Sequence, residues 1–180
     1  MIQPVFLALW AHGGEHHAEK AVEVAKAVNY GLVTLHPIAV HLPIGLLVAA
    51  LVFELLFIWR QRMEWRFASR AVFVLGGLGA VVALGSGFLA DNELGHGYAG
   101  HDLAHTHRNI MIATTAVWFI GILAAIKFRT SFERIRFLHI IVYGLTAALL
   151  FFGAHIGGEL VYEHGVGVKV NTEKAVPPNR

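Results

Sequence analysis

Four runs of about 20 apolar residues, separated by short polar stretches, constrain what this chain can fold into more than any other feature of its sequence. They cover residues 38–59, 71–90, 109–128 and 137–156. A helix of that length crosses the hydrocarbon core of a bilayer once, with every backbone N–H and C=O bonded inside the protein. The sequence therefore predicts an all-α fold: an integral membrane four-helix bundle, up-and-down, with short connections.

The composition supports a membrane protein and excludes several kinds of site. Hydrophobic residues make up 56% of the chain and charged residues only 14%, whereas soluble domains average about 25% charged residues. The absence of cysteine excludes disulfides, thiolate metal ligands, iron–sulfur clusters and covalently attached c-type haem. The basic residues lie beside the apolar runs, so the net charge of +2 does not indicate a nucleic-acid partner.

Basic residues also predict how the bundle is oriented. Eight of the 14 Lys and Arg residues lie after the first run or between the third and fourth: Arg60, Arg62, Arg66, Arg70, Lys127, Arg129, Arg134 and Arg136. An up-and-down bundle places both connections on one side, and the positive-inside rule assigns that side to the cytoplasm. We therefore expect a multi-pass protein of the bacterial inner membrane with its N- and C-termini in the periplasm.

Three parts of the chain differ in polarity. Residues 33–168 form the predicted transmembrane domain, residues 1–32 an outer-surface segment, and residues 169–180 a polar tail. Residues 17–28 have the periodicity of a helix, which we expect to lie on the outer membrane surface as a short interfacial helix. Trp59, Trp65 and Trp118 are expected at the membrane interface or facing lipid.

Histidine is the outlier of the composition, with 12 copies. On the predicted topology 11 of these 12 lie toward the outer side, and His139 alone lies near the inner side. Ionisable groups at membrane depth are costly and usually functional. Three explanations remain open: hydrogen-bonded anchors at helix ends, a zinc or copper site, and a haem b site.

The metal explanation rests on a short spacing. His101 and His105 share one face of the third helix if that helix begins near Gly100. Imidazoles four residues apart on a helix suit zinc or copper. His36, His41 and His164 are further candidate ligands on the same side.

The haem explanation requires imidazoles from two different helices, small residues that make room, and polar groups for the propionates. We predict His41 as the first axial ligand and His105 as the second, with His155 as its substitute. Arg108, Asn109 and Tyr162 are the predicted propionate partners. His36 and His164 are candidates for a second outer haem or metal site, or for contacts to a partner cytochrome. Glycines expected to leave room are Gly45, Gly85, Gly87, Gly153 and Gly157.

The second apolar run has a face of small residues. Gly79, Ala83 and Gly87 follow one another at intervals of four. Such a face allows another helix, or a flat ligand, to approach the backbone closely.

Three stretches of this sequence resemble a bacterial family of four-helix membrane proteins of undefined function. They are HPIAVHLPIG at residues 36–45, AHTHRN at 104–109 and GGELVYEHGVGV at 157–168. The resemblance covers residues 33–168, and members of that family occur fused to, or encoded beside, c-type cytochromes. It implies importance for His36, His41, His105, Asn109, Gly157, Gly158, Tyr162 and His164. His96, His101, His107 and His155 are additional here.

Together these features predict an electron-transfer subunit resembling a membrane b-type cytochrome, with haem near the periplasmic face. It would exchange electrons with quinol or with a c-type cytochrome as part of a larger redox complex. The sequence contains no nucleophile or triad pattern that indicates an enzyme acting by itself. The alternative is a non-redox membrane anchor or assembly subunit whose histidines bind zinc, copper or a partner protein.

Overall fold

Four long helices account for most of the chain that the computed structural model describes, residues 30–127 and 136–168. They are α1 (Tyr30–Arg60), α2 (Met63–Leu94), α3 (His101–Lys127) and α4 (Arg136–Tyr162). All four are long and apolar enough to cross a membrane, and these residues contain no strand. The predicted all-α fold with four membrane helices is confirmed. The expected interfacial helix at 17–28 and the polar tail lie outside the described residues.

The helices form a ring in which each packs against two others. α1 and α3 both contact α2 and α4, as an up-and-down bundle requires. Packing is most extensive within the first hairpin (α1 and α2) and the second hairpin (α3 and α4), and it is sparser between the two hairpins. We call the end where α1 and α3 begin the histidine end, and the end that carries Arg60 and Lys127 the basic end.

The helices extend past their apolar runs at the histidine end. α1 begins at Tyr30 and α3 at His101, each about two turns before its apolar run. Helices of 27 to 32 residues are about 40–48 Å long, whereas the hydrocarbon core is about 30 Å thick. The histidines of these extensions are therefore held on regular helices rather than on loops.

The first connection is shorter than predicted. Gln61 has a left-handed φ of 53°, and its N–H donates to the carbonyl of Phe57 at 2.7 Å, which ends α1. α2 begins only two residues later, at Met63. Arg66 and Arg70, expected in a loop, thus lie within α2, and Arg66 is buried. The apolar pattern missed this start because Glu64, Arg66 and Arg70 interrupt the apolar residues of the first two turns of α2.

Small residues bring the helices of each hairpin close together. A Cβ added at Gly76 would lie 3.0 Å from Leu47, and one at Gly79 would lie 3.3 Å from Cδ of Pro43. In the second hairpin, a Cβ at Gly153 would overlap the terminal methyl of Met111. The predicted small-residue face of α2 is therefore occupied by α1.

Aromatic side chains join the two hairpins in the core. The rings of Phe73 and Tyr143 stack with centroids 3.9 Å apart and planes 9° from parallel. Nε1 of Trp118 donates to the carbonyl of Phe73 at 2.8 Å. Trp118 was expected to face lipid or the interface, but it is only 6% exposed. Its indole instead fills the space that Gly77 leaves open on α2.

We expect Gly77→Ala to destabilise the protein, because a Cβ at this position would overlap the indole of Trp118. Overpacking of this kind costs about 1–3 kcal/mol, and each kcal/mol corresponds to about 2–4 °C for a protein of this size. Thermal unfolding in detergent, followed by circular dichroism, measures the effect. Gly85→Ala is the matched control, since no atom lies within 4 Å of its added Cβ. Equal unfolding temperatures for the two variants would contradict the packing described.

Candidate functional site at the histidine end

The first hairpin holds His36 against the backbone of α2. Nδ1 of His36 lies 2.9 Å from the carbonyl oxygen of Ala83 and 3.2 Å from Oγ of Ser86. A carbonyl oxygen can only accept a hydrogen bond, so Nδ1 of His36 carries the proton and donates the hydrogen bond to Ala83. Gly87 leaves room for the ring, because a Cβ there would lie 3.1 Å from Cε1 of His36. One hydrogen bond therefore orients the imidazole, and the missing side chain at Gly87 leaves space for the ring.

The second hairpin repeats this arrangement with His107. Nδ1 of His107 donates to the carbonyl of Gly153 at 2.8 Å, and a Cβ at Gly157 would lie 3.1 Å from Cε1 of His107. The two histidines are 71 positions apart, and their carbonyl and glycine partners are each 70 positions apart. In each hairpin, an imidazole from the first helix thus bonds to a carbonyl of the second helix and packs against one of its glycines.

The two imidazoles meet between the hairpins. The ring centroids of His36 and His107 are 6.1 Å apart, with planes at 83°. A neutral imidazole that donates through Nδ1 has an unprotonated Nε2. Within the described part of the chain, neither Nε2 has a hydrogen-bond partner. The site therefore offers two neutral imidazole nitrogens, one from each hairpin.

A chain of hydrogen bonds links His101, His105 and Arg108 beside this pair. Nη2 of Arg108 lies 2.5 Å from Nδ1 of His105, and Nε2 of His105 lies 3.1 Å from Nε2 of His101. Arginine can only donate, so Nδ1 of His105 accepts and its Nε2 carries the proton. His101 then accepts through Nε2, which leaves its proton on Nδ1. That nitrogen is buried and has no hydrogen-bond partner among the described residues.

Asp91, near the end of α2, anchors this chain. Its carboxylate accepts from Nη1 of Arg108 at 2.8 Å and from the hydroxyl of Tyr98 at 2.9 Å. Burial, and then the hydrogen bond to Asp91, raise the pKa of Tyr98 above its ordinary value. Asp91 and Arg108 also line an open recess of about 550 Å³, together with His96. This ion pair therefore joins the end of α2 to the first turns of α3.

The predicted axial residues have different surroundings. His41 is exposed, and its Nδ1 bonds to the carbonyl of Pro37 in its own helix. His155 is also exposed on the outside of the bundle. His41 follows His36 by five positions, which rotates it about 140° around α1, away from the interior. The structure thus brings together His36 and His107, and the predicted pairing of His41 with His105 or His155 stays a prediction.

The predicted propionate partners are also distributed over different surfaces. Arg108 is half-buried in the network described above, whereas Asn109 is exposed. Tyr162 is 90% exposed at the end of α4.

The glycine-rich turn after α4 fastens the histidine end of the bundle. Gly165 and Gly167 have φ of 64° and 77°, the left-handed conformation that glycine adopts most easily. A Cβ at Gly100 would lie 3.0 Å from Cγ of His164, and one at Gly167 would lie 3.4 Å from Val33. The turn thus contacts both α1 and the loop before α3. The side chain of His164 packs against Gly100 in that loop.

Sequence reasoning did not single out His107. A repeated spacing in the sequence could have identified it. In both hairpins a small residue follows the histidine after 46 or 47 positions, and a glycine follows that small residue after four more. The pairs are Ala83 with Gly87 and Gly153 with Gly157. Because so few positions repeat, no internal repeat stands out by eye.

Comparison with known proteins identifies a family. Residues 32–170 match a family model described as predicted membrane protein (DUF2231). No curated protein and no solved structure matches the chain.

We expect Asp91→Asn to destabilise the protein, because it weakens the acceptor of both Arg108 and Tyr98. Hydrogen bonds to a charged, partly buried group contribute about 1.5–3 kcal/mol each. Thermal unfolding of the purified protein measures the loss. Glu64→Gln is the matched control: it removes one carboxylate from an exposed ion pair with Arg62, 3.2 Å long, and such pairs contribute little. A larger effect at Glu64 than at Asp91 would contradict the role given to the Asp91 network.

Proposed function

Because the chain belongs to the DUF2231 family of predicted membrane proteins, we propose a function from its histidine end: an electron-transfer subunit resembling a b-type cytochrome. In this proposal His36 and His107 would hold one haem b through their Nε2 atoms. The protein exchanges electrons with quinol or with a partner c-type cytochrome near the outer face. The observation that carries the proposal is the meeting of two equivalent imidazoles, each with a free Nε2.

The donor set supports haem. Axial ligation needs neutral imidazoles from opposite sides of a flat macrocycle, and each hairpin contributes one. Donation of Nδ1–H to a carbonyl fixes the tautomer and the ring orientation, and it makes Nε2 a stronger ligand. His36 and His107 both have this bond.

The separation of the rings also supports haem. Two imidazoles that bind one metal ion through bonds of about 2.0 Å have centroids no more than about 6 Å apart. The centroids of His36 and His107 are 6.1 Å apart.

The residues around the pair have distinct roles in this proposal. When bound, haem b supplies an iron that takes up and releases one electron. Gly87 and Gly157 keep the imidazoles in place by leaving no side chain to displace them. Arg108 adjoins His107 in the chain, and Asp91 orients its guanidinium, which is the proposed hydrogen-bond donor to a propionate. The histidine end lies near the membrane surface, where a partner cytochrome can approach.

The absorption spectrum of the purified protein and of four variants tests this proposal. We expect a red protein with a Soret band and a sharp reduced α-band. His36→Ala and His107→Ala should each abolish the low-spin spectrum, because each removes one axial nitrogen. His41→Ala and His155→Ala, on exposed histidines at the same end, should leave it unchanged. Loss of the spectrum in His41→Ala with retention in His36→Ala would refute the assigned pair and favour the ligand predicted from sequence.

A zinc or copper site is the second candidate, and one distance favours it. The two Nε2 atoms of His101 and His105 lie 3.1 Å apart, as two ligands of one metal ion do. The donation from Arg108 opposes it, because it places the proton of His105 on the nitrogen that would bind the metal. Among the described residues no group of three or more ligand-type side chains surrounds a metal position. A colourless protein with stoichiometric zinc or copper would support this candidate over haem.

A further inference from the structure

A crevice opens at the basic end of the bundle, away from the histidines. It has a volume of about 770 Å³ and lies between α2, α3 and α4. Its walls are mostly apolar and include Phe73, Val74, Ile122 and Ile126. Val74 and Ile126 have exposed side chains, so the crevice is continuous with the surface that faces lipid. A ligand that fills it must therefore have a substantial apolar part.

Cationic side chains line the same crevice. Arg70 of α2 and Lys127 at the end of α3 both contribute to its surface. Two polar rings from α4, His139 and Tyr143, complete that side. Glu54 and Arg66 both act electrostatically on Arg70. Among the described residues that line the crevice, two are cationic and none is a carboxylate.

We propose that this crevice binds one anionic phospholipid of the leaflet at the basic end. The phosphate lies between Arg70 and Lys127, and an acyl chain follows the apolar wall of α2 and α3. Basic pockets between membrane helices on the cytoplasmic side are suited to anionic headgroups. A free phosphate would leave the apolar wall uncovered, and a zwitterionic lipid would bring its own cation to a cationic rim. Charge and apolar surface together thus select an anionic amphiphile.

Native mass spectrometry of the full-length protein in a mild detergent tests this assignment. Phosphatidylglycerol and phosphatidylcholine with the same acyl chains are titrated separately, and inorganic phosphate is a third probe. We expect one phosphatidylglycerol to bind more tightly than phosphatidylcholine. Arg70→Gln and Lys127→Gln should each weaken phosphatidylglycerol binding about fivefold, the usual contribution of one basic side chain to anionic-lipid attraction. Arg60→Gln, a control outside the crevice with the same charge change, should leave it unchanged.

A second pair of variants tests the apolar wall without changing any charge. Ala125→Phe fills the crevice and should abolish the specific phosphatidylglycerol adduct, whereas Ala116→Phe, exposed on the same helix, should not. If Arg70→Gln does not fold, Lys127→Gln and Ala125→Phe decide the outcome. Equal binding of both lipids, insensitivity to these variants, or equal retention of phosphate alone would overturn the proposal. The haem spectrum is independent of it, because the imidazole pair lies at the opposite end.

Discussion

Close packing of the two helices within each hairpin is the constraint on which the rest of the structure depends. Between helices in lipid there is no hydrophobic driving force, so van der Waals contact across small residues holds them together. Gly76 and Gly79 of α2 allow α1 to pack closely, and Gly153 of α4 leaves space for the side chain of Met111 of α3. The same closeness brings backbone carbonyls of α2 and α4 within reach of side chains on α1 and α3. A helical carbonyl has a second lone pair, which His36 and His107 use.

The repetition of this contact gives the histidine end its chemistry. Each hairpin orients its own imidazole, and the packing of the two hairpins places the two ring centroids 6.1 Å apart. The two rings come from hairpins that pack more sparsely against each other than the helices within each hairpin do. Under the proposed function, a haem held by both rings would bind the folded bundle in preference to the unfolded chain and would therefore stabilise the fold.

The two ends of the bundle differ in the charge that they offer. At the histidine end, Asp91 neutralises Arg108, and the paired imidazoles present lone pairs. At the basic end, Arg70 and Lys127 line an apolar crevice, which favours an anionic group. The stacked rings of Phe73 and Tyr143 and the indole of Trp118 lie in the core, where the hairpins meet. The separation of these chemistries follows from the sequence, because most of the histidines and most of the basic residues lie toward opposite ends of the bundle.

The number and order of the helices were determined by the sequence alone, because length and hydropathy are local properties of the chain. The concentration of histidines at one end follows from the same pattern. Which face each side chain occupies was not determined, because each position along a helix turns the side chain by about 100°. Only the packing of the hairpins decided that His36 points inward and His41 outward, that Trp118 is buried, and that His107 is the partner of His36. Those outcomes depend on contacts between residues about 45 to 71 positions apart, which composition and periodicity do not encode.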